Sequence, residues 1–407
     1  MAKRPQQSSS SSVSRRQKAS LNQTLTLIVI AAVALCGVYY LLTGNDVLGL
    51  FGGQATATPA ASTPQAGATP TAVAGGGQWW QVYFTDPLAI NDPTRPAGSI
   101  EEDLIGRINR AQRTIHIAAF EFDLTPVAEA LVAAHQRNVE VRWVTDDENG
   151  IEADREKGHG QFAMLKKAGI QVKDDGRSAL MHDKFIIFDN QTVWTGATNI
   201  TVAGIFENNN NALVIDSPRV AAIYEREFAE MWAGKFGPTS PSTVNDQSAT
   251  LDGTPIQIYF ASEDKVVDRL VPLIKGAKSS IRFMAFSFTH DELGAAVLAR
   301  AKAGVDVKGV FETRGSETES SQLRLLYCAK VPVRQDGNPS TFHHKVFVID
   351  DKIVITGSLN FSRNADESND ENVVVVTNSD IAAQFLQEFD RRWAEATDPK
   401  PADMKCR

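Results

Sequence analysis

Beyond residue 80 the chain alternates short apolar runs with amphipathic stretches, and the order of these runs occurs twice. QVYF (81–84) returns as QIYF (257–260), and RTIHIAAFEF (113–122) as SSIRFMAFSF (279–288), each an alternating strand pattern after a helical one. Ser99, with Glu102 three residues on, reads as a capping box opening the first helix. The next helical stretches, VAEALVAAHQRN and LGAAVLARAKAG, end at Asn138 and Gly304, residue types that tolerate a left-handed cap. Strands VEVRWVT and VDVKGVF follow. Then come HDKFIIFDNQTVWTGATN (182–199) and HHKVFVIDDKIVITGSLN (343–360), which align without a gap. NALVID and NVVVVT close each round, before helices in which Phe228 matches Phe389 and Trp232 matches Trp393, all four read as core.

This order predicts an α/β fold of two repeated α/β/α sandwich lobes, 80–237 and 255–397, with an inter-lobe linker at 238–254 and a C-terminal tail at 398–407. Two related lobes are expected to pack about a pseudo-two-fold axis, by analogy with a self-complementary dimer. A monomer built this way brings equivalent ends of the doubled stretch to one site.

Ahead of the repeat, residues 1–20 carry five basic side chains and a serine run and are expected to be a disordered cytoplasmic tail. Within 21–44 the uncharged run Leu25–Leu42 makes a helix of roughly 27 Å, close to the thickness of a bilayer core. Basic residues precede it, so it is expected to be a single-pass anchor in the cell membrane with the rest of the chain extracytoplasmic. A cleaved signal peptide is the rival reading, but the AxA-like site at Ala55–Ala57 lies well beyond the run; for a lipoprotein signal ending at Cys36, Leu35 is too large. Residues 45–79 are a low-complexity linker, its stretch 52–77 rich in Ala, Thr, Pro and Gly, and Trp79 and Trp80, which follow that stretch, are expected to pack at the edge of the first lobe.

Composition narrows the function. The net charge of −8, with the basic tail subtracted, leaves the lobes more acidic still, which disfavours an extended non-specific nucleic-acid surface. Of three cysteines, Cys36 falls in the apolar run; the sequence leaves the pairing of Cys328 and Cys406 open, with free or incidental thiols the favoured reading. No HExxH, Cys pair or tight acid cluster is present, so no cofactor and no metal is expected; Asp146, Asp147 and Glu148 read as a solvated loop.

The doubled stretch carries the chemistry. His182 and Lys184, like His343 and Lys345, stand two apart at a strand start and so share a face. Asp189 and Asp350 end the apolar strand, and after Gly196 or Gly357 come Asn199 or Asn360, with Ser358 as a further donor in the second copy. Lysine charge and amide N–H groups suit an oxyanion, while histidine can act as nucleophile or proton donor. Two copies supply one histidine for each task. Of the remaining histidines, His116 reads as a satisfied core residue, His344 as outside the catalytic face, and His135, His159 and His290 as surface.

At these residues the chain resembles the phospholipase D superfamily, whose signature is H-x-K, four residues, D, six residues, G-S-x-N. Both copies keep the H-x-K-x4-D-x6-G frame; the first has GATN, with Ala197 for Ser. The resemblance implies a metal-independent two-step phosphodiester cleavage through a phosphohistidine on His182, with His343 as general acid. It further implies phosphate binding by Lys184, Lys345, Asn199 and Asn360, and structural roles for Asp189 and Asp350. An acid that orients histidine is implied at Glu371; the aligned residue in the first copy is Asn210, with Glu207 as a candidate substitute. The expected substrate is a membrane phospholipid, hydrolysed at its head group. The alternative is a nuclease acting on DNA or RNA; a cardiolipin synthase-like transfer or an inactive binding module ranks below both.

Overall fold

The computed structural model describes residues 78–406. The expected tail, anchor and nearly all of the low-complexity linker lie outside the described residues, and among those no helix is long and apolar enough to cross a membrane.

The first lobe runs β1 (Trp80–Phe84), α1 (Ile100–Arg110), β2 (Thr114–Ala119), α2 (Thr125–Gln136), β3 (Glu140–Thr145), α3 (Gln161–Lys167), β4 (Gln171–Asp174), β5 (Lys184–Phe188), β6 (Thr192–Gly196), β7 (Asn211–Asp216) and α4 (Pro218–Trp232). The second runs β8 (Ser248–Leu251), β9 (Thr254–Ala261), α5 (Val266–Lys275), β10 (Ser280–Ala285), α6 (Asp291–Lys302), β11 (Asp306–Phe311), α7 (Gln322–Cys328), β12 (Val333–Gln335), β13 (Lys345–Ile349), β14 (Ile353–Gly357), α8 (Arg363–Glu367), β15 (Glu371–Thr377), α9 (Ser379–Glu395) and α10 (Pro401–Met404). Strand order is β1-β7-β6-β5-β2-β3-β4 in one sheet and β12-β11-β10-β13-β14-β15-β9-β8 in the other, the same order apart from β8. Both sheets are mixed: β2, β3 and β4 pair in parallel, as do β10, β11 and β12, and the remaining pairs are antiparallel. The registers coincide as well, with Ala119 opposite Lys184 and Ala285 opposite Lys345.

Each signature strand is apolar throughout because both its faces are covered. On β5, Phe185 and Ile187 enter a core shared with α4, while Ile186 and Phe188 enter the core beneath α1 and α2. β13 divides in the same way, Val346 and Val348 against Phe347 and Ile349. The shared core draws side chains from both lobes, including Tyr224 and Phe228 of α4 and Phe385 and Phe389 of α9. Burial on this scale, about 25 cal/mol per Å² of apolar surface, fuses the lobes into one body. Trp80 is buried in this core and Trp79 packs against it. Trp232 and Trp393 are only partly buried, lying at its rim beneath Lys173 and Arg334, each 4.5 Å from the ring centre.

Local chemistry follows the sequence closely. Ser99 Oγ accepts from Glu102 N at 3.2 Å, although Glu102 reaches back one residue further than a standard box, to Gly98 N at 2.6 Å. Asn138 and Gly304 take φ of 68° and 89°. Gly196 and Gly357 take φ of 145° and 151°, and a side chain there would collide with the carbonyls of Asn211 and Asn372.

Four sequence expectations are corrected. Residues 248–251 of the linker form β8, paired antiparallel with β9. The C-terminal tail contains α10, whose Met404 is buried, and Cys406 is disulfide-bonded to Cys328 with a Cα separation of 5.4 Å, so these are not free thiols. Their separation of 78 residues hid a proximity created by α10 docking beside α7. His290, read as surface, is 4% exposed at the start of α6.

Candidate active site

The seam between the lobes is where the two signatures meet. His182 N donates to Asp370 O and His343 N to Asn209 O, both at 2.9 Å, so the residue before β5 is strapped to the second lobe and the residue before β13 to the first. Asn372 and Asn211 cross the same seam, Asn372 Nδ2 donating to Thr195 Oγ1 at 2.7 Å and Asn211 Nδ2 to Thr356 Oγ1 at 2.8 Å.

The histidine partners also cross. His182 Nδ1 lies 2.6 Å from Glu371 Oε2, and His343 Nδ1 lies 2.9 Å from Asn210 Oδ1. Each lobe therefore orients the other lobe's imidazole, and Asn210, not Glu207, takes the acid's place in the first copy. Neither Nε2 has a hydrogen-bond partner among the described residues. Lys184 Nζ and Lys345 Nζ donate to the carbonyls of His182 and His343 at 3.0 and 2.9 Å. Phe120 stands beneath Lys184 at 5.1 Å and edge-on to His182; Phe286 does the same for Lys345 at 4.8 Å, tilted against His343.

Burial and like charge govern the titration of this cluster. Both imidazoles are held well below the ordinary histidine range, by burial first and then by Lys184 and Lys345. Burial lowers Lys184 to about 8 against the opposing pull of Glu371 and Glu121; Lys345 is driven well down by burial and by Lys184. Burial likewise lifts Glu371 to about 8. With Nδ1 turned to Glu371, His182 leaves its Nε2 toward the cleft. A phosphate anion entering between the lysines relieves their repulsion and raises the proton affinity of His343.

Placement of the other expected residues is mixed. Asn199 and Asn360 are half-buried, and each has a buried Oδ1 without a partner among the described residues. Asp189 accepts from the backbone N–H groups of Gln112, Arg113 and Thr114, and Asp350 from those of Lys278, Ser279 and Ser280, so both fasten the start of the neighbouring strand. Ser358 does not face the cleft. It is fully buried, donates to Glu371 Oε2 at 2.7 Å and accepts from Asn372 N at 2.9 Å, which removes it from the phosphate donors. Where the first copy has Ala197, the partner is the neutral Asn210, whose Nδ2 is satisfied by Gly204 O at 2.7 Å and which needs no such donor. Asp146 is buried, not solvated: its Oδ2 accepts from Met181 N at 3.1 Å, and Glu312 holds Phe342 N at 2.6 Å in the same way. These clamps, with Phe120 and Phe286, were missed in sequence. The alignment of AAFEF with MAFSF places one Phe over the other and was the available signal.

The residue between His and Lys marks a second asymmetry. His344, away from the cleft, is fully buried, with Nδ1 3.0 Å from Asn211 Oδ1 and Nε2 3.1 Å from Glu388 Oε1; Glu388 also accepts from Arg392 Nε at 2.8 Å. Burial would raise Glu388, but His344 and Arg392 bring it down to about 2. In the first lobe the equivalent residues are Asp183, Glu227 and Met231, two acids without a base. Burial, with Glu371 nearby, pushes Asp183 up to about 8, and burial with Glu263 nearby pushes Glu227 well up. An acid raised from its unfolded value near 3.9 binds its proton more tightly when folded, so stability falls as pH rises from about 4 to about 8. Asp183→Asn is expected to flatten this decline and to add a few kcal/mol at pH 9. Thermal unfolding from pH 5 to 9 measures it, and an unchanged slope would count against the assignment.

The family model described as "Cardiolipin synthase, PLD-like domain" matches residues 104–232 and 270–393. A Mus musculus protein named mitochondrial cardiolipin hydrolase is 35% identical over 129 residues, covering 32% of this chain and 58% of that protein. Its Homo sapiens counterpart is 33% identical over 132 residues, 32% of this chain and 52% of its own. The chain therefore spans only a little over half the length of these animal relatives. A protein named phospholipase D from Rickettsia bellii is 36% identical over 156 residues, 38% of this chain and 78% of its own. Among solved structures, phosphatidylserine synthase from Haemophilus influenzae shares the fold over 78% of this chain and 87% of that one, with a TM-score of 0.58 and 14% identity.

Proposed function

This chain belongs to the phospholipase D superfamily, and from that premise we propose that it is a membrane-anchored phosphodiesterase that hydrolyses phospholipid head groups. The observation that carries the reading is the crossed pairing of His182 with Glu371 and His343 with Asn210 around two buried lysines. His182 Nε2 attacks phosphorus, and the bond to the leaving alkoxide breaks as His343 supplies its proton. Water, deprotonated by His343, then displaces the phosphoryl group from His182 and restores both imidazoles. Lys184, Lys345, Asn199 and Asn360 hold the non-bridging oxygens.

Three observations favour lipid over nucleic acid. The relatives named above carry lipid-hydrolase names, the chain is acidic, and the apolar run Leu25–Leu42, read as an anchor, would keep the lobes near a bilayer. The Cys328–Cys406 bond supports the extracytoplasmic placement, because disulfides persist in oxidising compartments. The test is to offer the full chain, with chelator present, phospholipid vesicles and single- and double-stranded nucleic acid in parallel. Head-group release without nucleic-acid cleavage is the expected result. Cleavage of nucleic acid alone would replace this reading with the nuclease one.

A further inference from the structure

The two halves of the site are not equally charged. Glu121 follows Phe120 at the end of β2, at the position that Ser287 occupies after Phe286 in the second lobe. Glu121 is half-buried, and its Oε2 accepts from Asn199 Nδ2 at 2.8 Å. Its Oε1 has no partner among the described residues. In the second lobe no carboxylate among the described residues accepts a hydrogen bond from Asn360. Lys184 is close enough that its ammonium is the main influence opposing the burial of Glu121.

A carboxylate among phosphate-binding groups has a definite electrostatic consequence. Glu121 holds Asn199, one of the groups facing the phosphate, and lies near Lys184, so its carboxylate subtracts one negative charge from the positive charge that the lysines supply. A phosphodiester carries one negative charge. The phosphomonoester left after hydrolysis carries a second, which meets the Glu121 carboxylate in a site largely shielded from water.

Resting on the phosphodiesterase reading, we propose that Glu121 sets the charge selectivity of the site, admitting the singly charged diester and expelling the doubly charged monoester product. Ser287 performs no such function in the second lobe, so the selectivity is confined to the half that holds His182. Glu121 acts here as a specificity residue, distinct from the groups that hold the diester oxygens.

The test compares two small ligands on the full chain at pH 8: dimethyl phosphate, with one charge, and methyl phosphate, with two. Calorimetry gives both dissociation constants. Glu121→Ser and Glu121→Gln are expected to tighten methyl phosphate about tenfold relative to dimethyl phosphate, and Glu121→Asp to keep the parent ratio. An unmoved ratio in the Ser and Gln variants overturns the proposal. Equal changes for both ligands also overturn it, since they would mean that Glu121 acts only by holding Asn199. Cleavage of bis(p-nitrophenyl) phosphate is followed in parallel. Its absence in the parent chain would remove the phosphodiesterase reading, whereas the binding ratio judges Glu121 in either case.

Discussion

His182→Ala and His343→Ala are each expected to lower phospholipid turnover by on the order of 10⁴-fold, and to do so at different steps. Without His182 no covalent intermediate forms. Without His343 the departing alkoxide lacks its proton, and the water of the second step lacks its base. A leaving group that departs without a proton separates the two roles. With bis(p-nitrophenyl) phosphate, His343→Ala is expected to release about one equivalent of p-nitrophenolate per enzyme and then stall as the phosphoenzyme. His182→Ala is expected to give no such burst. Acid-labile, base-stable phosphate mapped to His182 in the stalled variant would agree with this assignment. A burst in His182→Ala, or label on His343 in the parent chain, would reverse it.

The reasons for this division lie in residues whose meaning could be read from sequence only in part. The spacing of His182, Lys184, Asp189, Gly196 and Asn199, matched in the second copy, identified the family and the repeat, because strand periodicity and a gapless alignment are local properties. The two-lobe architecture follows from the same repetition, down to the registers that set Lys184 and Lys345 opposite Ala119 and Ala285. Contacts that join distant segments stayed hidden. Glu371 was recognised as a candidate orienting acid, but its partner lies 189 residues away in the other lobe, and no local pattern encodes that crossing. Ser358 aligned with a phosphate-binding signature, yet it turns inward because a buried carboxylate needs a donor more than the cleft does. Asp146 read as solvated because acids usually are; the backbone N–H of Met181 accounts for the exception. The Cys328–Cys406 bond likewise depends on where α10 docks.

The crossed partners lead to the second large effect. Glu371→Gln is expected to lower kcat about 100-fold with KM little changed. The carboxylate takes hydrogen bonds from Ser358 Oγ at 2.7 Å and Asn369 Nδ2 at 3.1 Å while holding His182 at 2.6 Å, so every surrounding group is arranged for an acceptor. A glutamine must turn an N–H₂ toward one of them. Turned toward His182, it donates to Nδ1 and forces the proton to Nε2, the atom that must attack; turned away, it confronts the Asn369 amide. In either orientation the negative charge that steadies the imidazole as it gains positive character is lost. Asn210 offers the converse experiment. Asn210→Asp with Ala197→Ser rebuilds the Glu371–Ser358 pairing beside His343, and a carboxylate there raises that imidazole's proton affinity. Since His343 must be protonated to release the alkoxide, the basic limb of the kcat/KM profile is expected to move to higher pH. The acid limb, set by the neutral form of His182, is expected to stay where it was. Movement of the acid limb instead would show that His182 and His343 have exchanged roles.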